Sequence, residues 1–270
     1  MAAEGTQMIF MLVAFAATAA LEYHTPQVRL DAYTFTAHPK GATLYAASAD
    51  VALHAQMDVG AKVLASLPFG AALTIDTPGT RTRVKDRVDQ WYAVHTSDGR
   101  AGFVFGAWLT PFRFDADFDQ DGDEELATVA FSDDFAIAVR FYEARTKKTA
   151  ELTFAAAGQG YLSRRGGNVE AELVPAKSAG LPLLQVSSRP EACSDYFISY
   201  VSYTKGRAQM ALTAGGLIDP PNRSVVDVAF DPAKKQATLT RTNGEDGEER
   251  IVTKTLYGLK DGVFFVVPTK

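Results

Sequence analysis

Apolar and polar residues alternate with period two along most of this chain. The pattern is clear in Trp91-Tyr92-Ala93-Val94-His95, in Gly102-Phe103-Val104-Phe105 and in Ile137-Ala138-Val139-Arg140-Phe141. It recurs at 169–174, 196–203, 225–230, 237–241 and 262–267. Successive side chains of a strand point to opposite faces, so this period predicts strands with one face turned to a core. Turn residues separate the runs: Pro68-Phe69-Gly70, Ser97-Asp98-Gly99-Arg100, Asp219-Pro220-Pro221-Asn222 and Asp261-Gly262. Asp-Gly suits the positive-φ positions of a tight hairpin. No long helical period appears. The expected fold is all-β. A small barrel of short strands covers 41–112, and an antiparallel sandwich or open roll covers 113–270.

Composition removes several functions. The chain has 270 residues and a formal net charge of −5, which argues against an electrostatic nucleic-acid binder. One cysteine, Cys193, excludes an intrachain disulfide and a multi-thiolate zinc site, and is expected to be a small buried residue. The four histidines are His24, His38, His54 and His95, so everything beyond residue 95 lacks the commonest general base. His54 and His95 read as surface residues of strands. At the N-terminus, Met8 to Ala20 is free of charge and offers Ala17-Thr18-Ala19 for cleavage. It is shorter than a bilayer span and has the length of a signal-peptide core. Residues 1–20 are therefore expected to be a signal peptide and 21–40 a linker with a strand near 28–35. That predicts export to the periplasm or cell surface, with no transmembrane segment in the mature chain.

The stretch 41–112 resembles a bacterial SH3 (SH3b) domain. The likeness is carried by Val51-Ala52-Leu53-His54, Lys62 to Leu67, Gly70 to Ile75, Gln90-Trp91-Tyr92-Ala93-Val94, Asp98-Gly99-Arg100-Ala101-Gly102-Phe103-Val104 and Trp108-Leu109. Two places depart from the pattern. His54-Ala55-Gln56 stands where the family has an Arg-x-x-Pro turn, and a charged insertion, 80–87, is expected to lengthen one surface loop. The resemblance implies an SH3-like barrel that binds cell-wall peptides or protein partners. Tyr45, Trp91, Tyr92, Phe103, Phe105 and Trp108 could form its aromatic groove, although alternate members of such strands, Trp91 and Trp108 among them, are expected to pack in or near the core.

Residues 115–125 carry seven carboxylates. Asp117, Asp119 and Asp121 alternate, and Gly122 follows at the sixth position, as a tight calcium loop requires. No bidentate Glu stands at the twelfth position, where Thr128 falls, so an EF-hand is not expected. The run, followed by the strand-like 126–131, resembles the calcium loop of FG-GAP or VCBS repeats. That resemblance implies side-chain ligands from Asp117, Asp119, Asp121 and Glu125 and a backbone carbonyl from Asp123. Glu125 replaces the family's Asp, and the motif occurs once rather than in repeats. The ion would be a structural Ca2+.

Residues 126–270 hold no G-x-S-x-G or phosphate-loop motif. A Cys-His peptidase built on Cys193 would lack a following histidine. Carboxylates for a muramidase exist at Asp133, Asp134, Glu143, Glu170 and Glu172, but carboxylates on alternating strands usually face solvent. The sequence therefore predicts an exported, non-catalytic binding protein of the bacterial envelope, whose partner is a cell-wall peptide or envelope protein. The alternatives are a peptidoglycan-active hydrolase using paired carboxylates and a purely structural envelope adaptor.

Overall fold

Strand alternation is realised almost throughout. In a computed structural model, the chain is all-β with antiparallel sheets. The structure describes residues 38–85, 87–133, 136–155, 169–188, 194–245 and 249–268. The proposed signal peptide, most of the linker with its strand near 28–35, Asp134 and Cys193 lie outside them. No helix among the described residues is long and apolar enough to cross a membrane.

The first sheet has seven strands: β1 (Thr43–Ala46), β2 (Val51–His54), β3 (Val63–Leu67), β4 (Ala72–Val84), β5 (Arg87–Thr96), β6 (Ala101–Phe105) and β7 (Leu109–Thr110). Their order is β3-β2-β6-β5-β4-β1-β7. Leu67 of β3 and Leu109 of β7 lie at opposite ends of that order, yet both enter one core with Leu44, Leu53, Ile75, Tyr92 and Val104. The sheet therefore curls around its own apolar face as a half-barrel. A single 3-10 turn, Gly106–Trp108, leads into β7.

The charged insertion does not form a loop. It extends β4 and β5 into a hairpin with Arg81 opposite Gln90, Thr82 opposite Asp89 and Arg83 opposite Val88. Thr82 and Val84 are β-branched and fit a pleated surface, so Arg-Thr-Arg-Val continues the strand. Arg87 anchors the arm's tip by donating to the Ser132 carbonyl at 2.6 Å.

The second sheet is β8 (Arg113–Ala116), β9 (Glu125–Phe131), β10 (Ile137–Glu143) and β11 (Lys148–Phe154), in the order β11-β10-β9-β8. The third is an eight-stranded meander: β12 (Val169–Val174), β13 (Leu183–Ser188), β14 (Ser194–Thr204), β15 (Arg207–Asp219), β16 (Asn222–Asp231), β17 (Gln236–Glu245), β18 (Ile251–Lys260) and β19 (Val263–Val266). A one-turn helix, α1 (Ala176–Ala179), joins β12 to β13.

Strand β14 shows how the layers stack. Phe197, Val201 and Tyr203 pack with Val139 and Phe141 of the second sheet. Tyr196 and Tyr200 point the other way, into clusters that take in Val226, Leu239, Ala237 and Phe264 from β16 to β19. The two sets stay on opposite faces through a bulge between Tyr200 and Val201. The meander thus folds its second half over its first, and the first half also carries the four-stranded sheet.

The half-barrel is joined to that sheet by a polar seam. Thr110 donates to the Val129 carbonyl and accepts the Phe112 N–H at 3.1 Å. Thr128 donates to the Ala47 carbonyl at 3.0 Å, and Arg113 to the Gly70 carbonyl at 2.9 Å. Phe69 stacks on Tyr142 with ring centroids 5.5 Å apart. Gly70 has φ +67°, a conformation that favours glycine, and a Cβ there would push on a Leu126 methyl 2.6 Å away.

Candidate functional site

The acidic loop is held from below by Phe118. This ring is fully buried and meets Phe141 edge-on at 4.9 Å. Burying such a ring contributes about 2–3 kcal/mol, enough to fix the loop on the sheet. Above it the chain turns sharply at Gln120 (φ +61°) and Gly122 (φ +97°). Asp117 closes the turn, accepting the N–H groups of Asp121 and Gly122 at 3.0 Å each.

This geometry gathers carboxylate oxygens of Asp117, Asp119 and Glu125 within 4.8 Å of one another, a group that could hold a metal ion. Glu125 is 1% exposed, and one of its oxygens accepts the Phe118 N–H at 2.8 Å. Burial pushes its carboxyl up to about 7, with Asp119 and Asp121 adding repulsion. Burial first, then the charges of neighbouring aspartates, also raises Asp119. One buried oxygen of Asp119, Oδ1, has no hydrogen-bond partner. Buried acceptors are normally satisfied, and a cation would satisfy this one.

The carboxylates of Asp121, predicted as a side-chain ligand, and of Asp123, whose backbone carbonyl is the predicted ligand, both meet an arginine. Arg145, on the β10–β11 turn, forks between them at 2.9 Å to each and lies 3.9 Å from Glu143. Sequence reasoning did not place Arg145 or Glu143 at this loop. Glu143 sits directly across the sheet from Glu125. Nothing local in the sequence signals that pairing, because strand register creates it.

The aromatic candidates divide into two sets. Trp91 and Tyr92 are each 1% exposed, and Phe105 is fully buried. Trp91 donates its indole N–H to Thr82 at 2.8 Å. It packs with Phe105, Trp108 and His54 at centroid distances of 5.5, 6.2 and 5.6 Å. Tyr92 belongs to the barrel core, where its hydroxyl accepts the His38 N–H at 3.2 Å, and burial pushes its phenol up to about 12. Trp108, Phe103 and Tyr45 are half-buried and keep surface for a partner. Tyr45 stands apart from the cluster, with the Arg113 guanidinium 5.9 Å from its ring centre.

His54 corrects the surface expectation: it is 3% exposed. The aromatic cluster covers it, its Nδ1 lies 3.3 Å from the Ala61 carbonyl, and its Nε2 is buried without a partner. His95 is about half exposed, as expected, and pairs with Asp76 at 2.8 Å.

The carboxylates weighed for hydrolysis are scattered among different features. Asp133 lies in an exposed turn, and Glu143 belongs to the acidic loop's surroundings. Glu170 and Glu172 line a cleft of about 580 Å³ between β8 and β12, with Phe112, Phe114 and Leu173. Compared with known protein families, curated proteins and solved structures, the chain matches none.

Proposed function

We propose that this chain is an exported, non-catalytic binding protein of the bacterial envelope. On this reading the 41–112 half-barrel is an SH3b-type module that holds a cell-wall peptide, and the acidic loop takes a structural calcium ion. The observation that carries the reading is the layout of the half-barrel. The stretches that resemble the family form β2, β3 to β4, β5, β6 and β7 around one core. Within it, β4, β5 and β6 form a meander, β1 bridges β4 to β7, and a 3-10 turn precedes β7.

Calcium is favoured as the ion because every donor in the group is a carboxylate oxygen. Hard oxygen donors suit calcium better than softer metals. Its work would be mechanical: neutralising Asp117, Asp119 and Glu125 fixes the turn that leads from β8 into β9.

Phe103 and Trp108 are the contact residues on this reading, because their rings combine apolar faces with partial exposure. The full chain should co-sediment with purified peptidoglycan sacculi. Phe103→Ser with Trp108→Ser should leave most of it in the supernatant while its melting curve stays cooperative. Retention of the double variant at the wild-type level would place the contact elsewhere. A wild-type chain that never pellets would remove cell wall as the partner.

A further inference from the structure

The outer face of the meander's second half holds apolar residues in solvent. On β16, β17 and β18 one parity turns inward: Val226, Ala237, Leu239 and Tyr257 pack against the meander's first half. Period two sends the other parity outward. Strand register sets these outward residues in rows. Val225, Thr242 and Val252 form one row. Asp227, Thr240 and Lys254 form the next. Ala229, Thr238 and Leu256 form the third. Phe265, opposite Gly258 on β19, extends the face to the edge of the sheet.

Val225, Val252, Leu256 and Phe265 are between 36% and 56% exposed. One exposed valine on a surface means little, but large apolar side chains gathered on one face mark an interaction surface. The middle row says what fits it. Asp227 and Lys254 are both exposed, and among the described residues neither makes an ion pair. These opposite charges stand one strand spacing, about 5 Å, to either side of Thr240. Apolar rows flank them on both sides.

The arrangement complements itself. Two sheets stack face to face with their strands nearly aligned. A two-fold axis along β17 exchanges the positions of β16 and β18. It sets Asp227 over the partner's Lys254, and Val225 over the partner's Val252. It also sets Ala229 over the partner's Leu256. A two-fold axis across the strands would instead set like charge on like. We propose that this face binds a second copy of the chain, giving a two-fold dimer in which the outer faces of β16 to β18 stack. A two-fold interface uses one patch twice, so the patch must match itself, and here both its apolar rows and its charges do. Nothing in this dimer depends on what the half-barrel holds.

The test is sedimentation equilibrium of the full chain, from about micromolar to about millimolar protein. The wild type is expected to pass from monomer to dimer. Asp227→Lys and Lys254→Glu each bring like charges together, and the two-fold axis repeats the clash. Each should weaken the dimer about hundredfold or more and, being at an exposed position, keep the wild-type melting curve. Mixing the two variants restores opposite charges at both contacts, so the mixture should dimerise although neither component does alone. A wild type that stays monomeric at every concentration overturns the proposal and leaves the face to a different partner. A dimer that tolerates either reversal, or folded variants that stay monomeric when mixed, overturns it as well.

Discussion

Calcium should raise the melting temperature of the full chain, and Asp119→Ala with Asp121→Ala should abolish the rise. The size follows from mass action. Sites of the weak extracellular class have dissociation constants of about 10⁻⁴–10⁻³ M. An ion at about 100 times its dissociation constant stabilises by about 2.7 kcal/mol, which for a chain of this size is roughly 5–10 °C. The acid–base behaviour of Glu125 sharpens the expectation. Burial lifts its carboxyl from the ordinary 4.5 to about 7. The folded state therefore binds a proton that the unfolded state releases. Without a cation, that contribution is complete below pH 4.5 and is lost as the pH rises through 7. Calcium should offset the loss, because the ion takes the place of the proton. Glu125→Gln should flatten the chelated chain's pH profile between 5 and 8 and remove the calcium response. Equal melting with calcium and with chelator at pH 7.5 would refute the metal site.

The second large effect belongs to the seam. Thr110→Val should lower stability by about 2–3 kcal/mol, the cost of leaving buried polar groups unpaired. The change is nearly isosteric, so packing is kept while the hydroxyl is lost. It strands the buried Phe112 N–H and removes a donor from the Val129 carbonyl. Thr110→Ser keeps the hydroxyl and should recover most of the loss. Thermal unfolding of the three proteins decides the matter: a valine variant that melts with the wild type would mean that the seam does not tie the half-barrel to the second sheet.

The strands were readable because period two is a local signal. Ser97 to Arg100 was readable as a turn for a similar reason: Gly99 has φ +83° and donates to the Thr96 carbonyl at 3.0 Å. At 115–125 the spacing of the aspartates signalled a gathering of carboxylates, and Asp117, Asp119 and Glu125 do converge into a group that could hold a metal ion. What could not be read depends on partners distant in the chain. Arg145 claims Asp121 and Asp123 across a hairpin. His54 is buried because Trp91 and Trp108, far along the sequence, cover it. Charge misled at 80–87, where the alternation of Arg with Thr and Val carries a hairpin rather than a loop.

On the proposed reading, this β scaffold holds cell-wall material without altering it. The direct measurement is to incubate the full chain with purified sacculi until it co-sediments, then quantify soluble muropeptides by mass spectrometry. The account predicts bound protein and no release above the buffer control. Release that climbs with protein concentration and drops on changing Glu170 or Glu172 to the amide would contradict it.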